Sequence, residues 1–222
     1  MNTEKTDVIV LAGGPWQAGL VKYLKQKNHR VHVVNPQVTE TTVLADGHIR
    51  CDINDLKQIQ SQVNFQPLFI TSDQSDVATT AVAKLSEVYR TPCNSLQVIR
   101  RFSDKLTMAT FASSIGMPVP KTLHAKSVED VRAFVNEHGP AVLKPTDATN
   151  SRGFRKLDVV TDEIFEEVKS FSRSKTVLVQ EFLPGDVQIT LDGVCSGGKH
   201  RVLAASVKGK YYKPGLTSAV KY

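Results

Sequence analysis

Lys144 closes the apolar run Pro140-Ala-Val-Leu. An ammonium at the end of a core strand is costly unless it is paired or snorkels to water. The residues that follow, Pro145-Thr-Asp-Ala-Thr-Asn-Ser-Arg-Gly-Phe-Arg-Lys156, are small and polar apart from Phe154. They include Gly153 and the cations Arg152, Arg155 and Lys156. Backbone amides in such a loop can wrap phosphate oxygens, with Asn150, Ser151, Arg152 and Gly153 at its tip. Lys105 falls in the first turn of a helix expected to open at Ser103-Asp104. A cation there faces the positive end of the helix dipole at a cost of ~0.3–1 kcal/mol, which a bound anion would offset. Each feature has an ordinary explanation: Lys105 as a surface lysine paired with Asp104 or Asp76, Lys144 as a snorkelling strand end, the loop as a solvated hairpin. Taken together, their chemistry is that of holding a nucleoside triphosphate.

A second group of residues suits the base of such a ligand. Thr176-Val-Leu-Val-Gln-Glu-Phe-Leu183 is an apolar strand ended by Pro184-Gly185. Adenine offers a donor at N6 and an acceptor at N1, and a strand edge supplies a carbonyl and an amide at matching spacing. The Glu181 carbonyl and the Leu183 amide, with Phe182 between them, would serve; Gln188 or Asp186 could reach ribose hydroxyls, although Asp186 is equally a turn residue. Ser72-Asp-Gln-Ser-Asp76 places two acids at a strand-to-helix junction. They could hold an amine, but capping accounts for Asp73 and the helix dipole for Asp76.

These residues need a scaffold, and the chain supplies two. Apolar strands at 7–12, 30–34, 48–52 and 67–71 alternate with helical patterns, which implies a parallel sheet covered by helices. The helix after the fourth strand, with Val77, Ala81, Leu85 and Val88 on one face, is expected to be capped by Ser72 or Asp73. Thr91-Pro92 closes this unit, giving a Rossmann-like domain over 1–98. The second unit, 99–222, opens with a helix to about Ile115 stopped by Gly116, then an extended Met117-Pro-Val-Pro120. Ser127-Val-Glu-Asp130 reads as a capping box. Strands 141–145, 157–160 and 176–183 with a helix at 162–171 suggest a mixed α+β sheet. Gln188–Val194 and Arg201–Val207 read as a hairpin around Cys195-Ser-Gly-Gly.

Composition removes several function classes. No apolar run approaches the ~20 residues that span a bilayer. The N-terminus Met-Asn-Thr-Glu-Lys-Thr-Asp is polar and acidic, unlike a signal or transit peptide. Cys51, Cys93 and Cys195 are far apart and odd in number, and read as reduced buried thiols in a cytoplasmic setting. His29 and His32 lack flanking acids or cysteines and read as core or surface residues rather than metal ligands. The net charge of +6 raises nucleic-acid binding, and Lys208-Gly-Lys-Tyr-Tyr-Lys213 interleaves cations with aromatics. The remaining cations are scattered, so a solvated hairpin edge is the simpler account and no nucleic-acid or membrane partner is expected. Gly13-Gly14-Pro-Trp-Gln-Ala-Gly19 has the wrong spacing for a dinucleotide fingerprint, and Asn35 stands where a ribose-binding acid would be. A nicotinamide oxidoreductase is therefore a remote alternative.

In order along the chain, Ser103-Asp-Lys105, Gly116-Met-Pro-Val-Pro120, Val142-Leu-Lys-Pro145, Ser151-Arg-Gly153 and Val179-Gln-Glu-Phe-Leu-Pro-Gly185 resemble the ATP-grasp superfamily. The Lys-Pro…Ser-Arg-Gly and Ser170-Phe-Ser-Arg-Ser174 spellings look most like its carboxylate–amine ligase and carbamoyl-phosphate-synthase-like branch. The resemblance implies an α/β chain: a Rossmann-like parallel sheet of the pre-ATP-grasp type, then an incomplete α+β ATP-grasp domain. It implies ATP as cofactor, with Lys105 and Lys144 on its phosphates, the loop 147–156 closing over them, and Glu181 to Leu183 holding adenine. Where the family usually has a ribose-binding glutamate, Gln188 stands. The implied reaction joins a small-molecule carboxylate to an amine through an acyl phosphate, with Mg²⁺ bridging the phosphates; no catalytic residue is assigned. Such an ion needs hard oxygen ligands, and after Glu181 the sequence has no Glu and no Asn. The metal ligands are thus expected beyond Tyr222, the chain as given is expected to be inactive alone, and a non-catalytic nucleotide-binding remnant is the alternative. A homodimer is compatible with this reading.

Overall fold

The computed structural model describes residues 4–149, 151–185 and 187–208, and the chain divides into two compact units at Ser103/Asp104.

The first unit carries a four-stranded sheet. Its strands are β1 (Thr6–Leu11), β2 (His29–Val34), β3 (Gly47–Ile49) and β4 (Phe69–Thr71), in the order β3-β2-β1-β4 with every pairing parallel. β1 is apolar at successive positions because both its faces are covered. Val8 and Val10 pack with Val21 and Leu24 of α1 (Ala18–Gln26), with Val31 and Val33 beside them. Ile9 and Leu11 pack with Ile59 of α3 (Leu56–Gln62) and with Ala78, Ala81 and Leu85 of α4 (Asp76–Val88). Two short helices escape the sequence reading: α2 (Glu40–Leu44), held by a Thr39–Thr42 capping box, and α5 (Leu96–Ser103), which extends this unit past Thr91-Pro92.

Several local expectations are corrected. Ser75, not Ser72 or Asp73, is the N-cap of α4, and it makes no side-chain cap bond. The Ser72 hydroxyl instead donates to the Leu11 carbonyl. Of the three thiols only Cys51 is buried; Cys93 and Cys195 are exposed. Cys93 lies in an irregular loop and Cys195 in the hairpin described below, neither of which belongs to a core. His32 is tied to the Asp7 carboxylate at 2.6 Å and stacks on Phe65. The Gly13-Gly14 turn is filled by its own surroundings. The Gly13 amide donates to the Asn35 side chain, and the Thr39 and Thr41 hydroxyls donate to the Gly13 and Gly14 carbonyls. A Cβ on Gly13 would stand 2.9 Å from Asn35 Cβ and Val33 Cγ1, so this glycine serves close packing.

The second unit has α6 (Lys105–Ser114), β5 (Thr122–Ala125), α7 (Val128–His138), β6 (Ala141–Pro145), β7 (Arg155–Lys156), α8 (Asp162–Ser170) and β8 (Val177–Glu181). The sheet order is β5-β8-β6-β7, and all its pairings are antiparallel rather than mixed. The Ser127 capping box starts α7 with Asp130 as its reciprocal partner. β5 follows the 117–120 linker and was not anticipated, and the stretch 157–160 is not a strand: β7 ends at Lys156, with one further bond from the Leu157 amide to the Ala141 carbonyl at 3.0 Å. Ala141, Leu143, Val177 and Val179 face one way and form a core with Val131 and Phe134 of α7 and Phe165 and Val168 of α8. Alternation sends Val142, Lys144, Leu178 and Gln180 to the opposite face.

The last described elements are β9 (Gln188–Ser196) and β10 (Lys199–Lys208), a separate two-stranded antiparallel ribbon. Gly197 and Gly198, both at positive φ, form its turn. Paired positions share a face, so Ile189, Val207, Leu191, Ala205 and Val202 line one side. Ile189, Leu191, Val202 and Val207 are each more than half exposed. Lys208 ends β10, and the rest of the Lys208–Lys213 cluster lies outside the described residues. Among the described residues no helix is long and apolar enough to cross a membrane.

Candidate functional site: two lysines and a fastened loop

Lys144 sits on the sheet face away from α7 and α8, near the end of β6. Its Nζ donates to Gln180 Oε1 at 2.6 Å, and Gln180 Nε2 donates on to the Thr122 hydroxyl at 2.8 Å. The Phe154 ring centroid lies 5.6 Å from Lys144 Nζ. Burial, and then the charge of Lys105, hold the Lys144 ammonium below the usual lysine range. A neutral amide compensates only part of that cost. The carboxyl group of a salt bridge would answer it from inside the fold; a polyanion would answer it from outside.

Lys105 is the first residue of α6, after its N-cap Asp104, whose carboxylate accepts from the Thr107 amide at 2.7 Å. The Lys105 ammonium turns away from the helix end and donates to the carbonyls of Thr146 and Ala148. Its backbone amide also donates to the Thr146 carbonyl, at 3.0 Å. The two lysines, 39 residues apart in sequence, therefore meet at the start of one loop and feel each other's charge.

That loop is fastened. Asp147 accepts from the Ser172 hydroxyl at 2.8 Å and from the amides of Arg173 and Ser174 at 3.2 and 3.0 Å. Burial pushes the Asp147 carboxyl up, but these hydrogen bonds outweigh it and hold the group below the ordinary carboxylate value. At the other end, Gly153 has φ +72° and is pressed against Phe171. Arg152 lies over the same ring at 6.0 Å. Ser151 and Arg152 are exposed and Gly153 is buried, while Asn150 lies outside the described residues. Two cations expected to add charge are otherwise engaged: Arg155 pairs with Glu167 of α8, and Lys156 stands 4.6 Å from the Phe182 ring.

At the end of β8 successive amides turn to different neighbours. The Glu181 amide donates to the Lys121 carbonyl on the β5 side, whereas the Phe182 amide donates to the Pro140 carbonyl on the β6 side. Alternation then points the Glu181 carbonyl and the Leu183 amide to the same edge, beside β5. The Lys121 amide, which could have continued the ladder there, donates to the Glu181 carboxylate instead. Leu183 is 60% exposed. Gln188 begins the separate ribbon and is also exposed. Asp186, the alternative ribose contact, lies outside the described residues. Elsewhere, the Asp73 carboxyl of the first unit is pushed up by burial.

The sequence reading missed Gln180, Asp147, Ser172 and Phe171 as partners of this site. Gln180 had a usable signal, since a polar residue between Val179 and Glu181 on a strand facing Lys144 has few other places to go.

Residues 104–203 match the family model described as prokaryotic glutathione synthetase, ATP-grasp domain. That match takes in most of the second unit, which is similar to an ATP-grasp domain. The glutathione synthetase of Neisseria meningitidis serogroup B is 32% identical over 107 residues, covering 45% of this chain and 32% of its own length. The chain thus spans about a third of that curated relative. Among solved structures, N5-carboxyaminoimidazole synthetase from Staphylococcus aureus complexed with ADP superimposes with a TM-score of 0.76 at 17% identity, covering 95% of this chain and 57% of that one. The L-amino acid ligase of Bacillus licheniformis gives 0.73 at 14%, covering 98% and 54%. At these identities the superpositions establish the ATP-grasp fold.

Proposed function

We propose that the second unit binds ATP and that the chain serves ATP-dependent joining of a small-molecule carboxylate to an amine or similar nucleophile through an acyl phosphate. The observation that carries this reading is the meeting of Lys105 and Lys144 at one loop, with Lys144 left short of negative charge. Both ammonium groups suit the phosphates, with Ser151, Arg152 and Gly153 at the loop. The Glu181 carbonyl and Leu183 amide suit adenine, Phe182 a wall beside it, and Gln188 a ribose hydroxyl. Bound ATP would supply the phosphoryl group that activates the carboxylate; the residues named here bind and orient it. Among the described residues no cluster of three or more His, Cys, Asp or Glu is arranged for a metal ion, so no step is assigned to Mg²⁺. The matched proteins include glutathione synthetases, carbamoyl phosphate synthase large chains and an N5-carboxyaminoimidazole synthetase, so their printed names support the ligation class without singling out one carboxylate. A cytoplasmic setting belongs to the same reading.

Titration calorimetry of the 222-residue chain with ADP, ATP plus Mg²⁺, and NAD tests it. Adenine nucleotides should bind and NAD should not. Lys144→Met should weaken ADP by roughly 10–100-fold, the worth of a charge-assisted hydrogen bond. Equal affinity of wild type and Lys144→Met would sink the assignment. Because the chain spans only 57% of its ADP-bound structural neighbour, a non-catalytic binding module is the second reading. Phosphate release measured beside binding separates the two, since a binding module gives none.

A further inference from the structure

We propose that Asp147 is a positioning residue that straps the loop between β6 and β7 to the turn between α8 and β8, and so sets where the phosphate-binding tip stands. This rests on the ATP reading of the site. The loop touches one short turn, Phe171 to Ser174, at both of its ends. At its start the Asp147 carboxylate gathers one hydroxyl and two amides from Ser172, Arg173 and Ser174. At its far end Gly153 lies flat on Phe171. The turn is itself braced: the Ser172 hydroxyl accepts from the Thr176 amide at 3.1 Å, and the Thr146 amide donates to the Thr176 carbonyl at 3.1 Å. Ser172 is 1% exposed, so water does not compete for its hydroxyl.

The strap also reaches Lys105. That ammonium donates to the carbonyls of Thr146 and Ala148, the two residues flanking Asp147. Carboxylate and ammonium thus pin the same three-residue segment from opposite partners. Releasing Asp147 frees the carbonyls that hold Lys105 as well as the loop itself. The consequence is specific: the residues handling phosphates lose their places, while the Glu181–Leu183 edge, built on β8 and β5, keeps its own hydrogen bonds.

Two measurements on the full chain test this. Hydrogen exchange in the ligand-free protein should rise about tenfold at the Arg173 and Ser174 amides and across 148–153 in Asp147→Ala, as expected when charged hydrogen bonds are removed. Ser172→Ala, which leaves both amide bonds to Asp147, should give a smaller rise, and Asp147→Asn an intermediate one. Calorimetry should show ADP affinity falling about tenfold in Asp147→Ala while AMP affinity stays within about twofold, because AMP lacks the outer phosphate the loop would hold. Unchanged exchange overturns the strap. An equal loss for ADP and AMP overturns the positioning role and leaves Asp147 a general stabiliser. If wild type binds neither nucleotide, the ATP reading fails, and the exchange arm alone then decides whether the strap exists.

Discussion

Replacing Gly153 by alanine separates two reasons for a glycine in this loop. If its amide alone mattered, for wrapping phosphate, a methyl group would change little in the free protein. The structure says otherwise. At φ +72° an L-residue pays about 1–2 kcal/mol. The new Cβ would also stand 2.9 Å from Phe171 Cβ and from Cδ2 of its ring. The ring can swing, since Phe171 is 38% exposed, but its Cβ is fixed to the backbone and cannot. Overpacking of this kind costs about 1–3 kcal/mol, so the substitution should cost roughly 2–5 kcal/mol in all. Chemical denaturation and exchange of segment 148–153 read this directly. The control is Phe171→Ala in the Gly153→Ala background. It removes the overlap with the ring but leaves the backbone strain and the Cβ–Cβ approach, so recovery should be partial, with a coupling energy of about 1 kcal/mol or more. Strict additivity of the two changes, or an unperturbed Gly153→Ala protein, would refute the contact and with it the far-end strap.

Two pH effects follow from the same site. Burial and Lys105 depress Lys144, so its charged form is disfavoured in the fold; this penalty is present at neutral pH and is relieved as pH rises from the lowered value toward 10.5. A bound triphosphate favours the charged form, so nucleotide affinity should fall as pH climbs through the free protein's lowered value, with proton uptake on binding. Calorimetry in buffers of different ionisation enthalpy detects that uptake, and a flat profile from neutral to alkaline pH contradicts it. Asp147 has the opposite sign: burial raises it, its hydrogen bonds lower it further, and the net is below 3.8. Its contribution to stability is complete above that value and disappears as pH falls through the depressed one. Asp147→Asn should flatten the acid limb of urea stability, and a wild-type slope in the variant would count against the strap.

Much of the scaffold was readable because its signals are local. Ala141–Pro145 and the Ser127 capping box stand where expected, since an uninterrupted apolar run and a Ser-x-x-Asp spacing leave few choices. β5 was not readable: Thr122–Ala125 is short, half polar and preceded by prolines, and it becomes a strand only by pairing with β8. The stretch 157–160 failed because β6 begins at Ala141: the Leu157 amide reaches that residue's carbonyl and its side chain enters the core, and β6 has nothing left to pair with 158–160. At the site, Lys105 and Lys144 were expected together on one set of phosphates through the resemblance, but the contacts that hold Lys105 there were not legible, because they are Thr146 and Ala148 carbonyls placed by the fold. The attachment of Asp147 to residues 25 to 27 positions later leaves no periodic trace at all.

The β9–β10 ribbon is wet on one side and oily on the other, with little thickness between. A two-stranded sheet of this kind gains little from its own pairing, and its oily side is large enough to seek company. The ribbon's apolar face, built on Ile189, Leu191, Val202, Ala205 and Val207, is therefore the part of the described chain with most to gain from a cover, while Lys199 and Arg201 on the other face favour water.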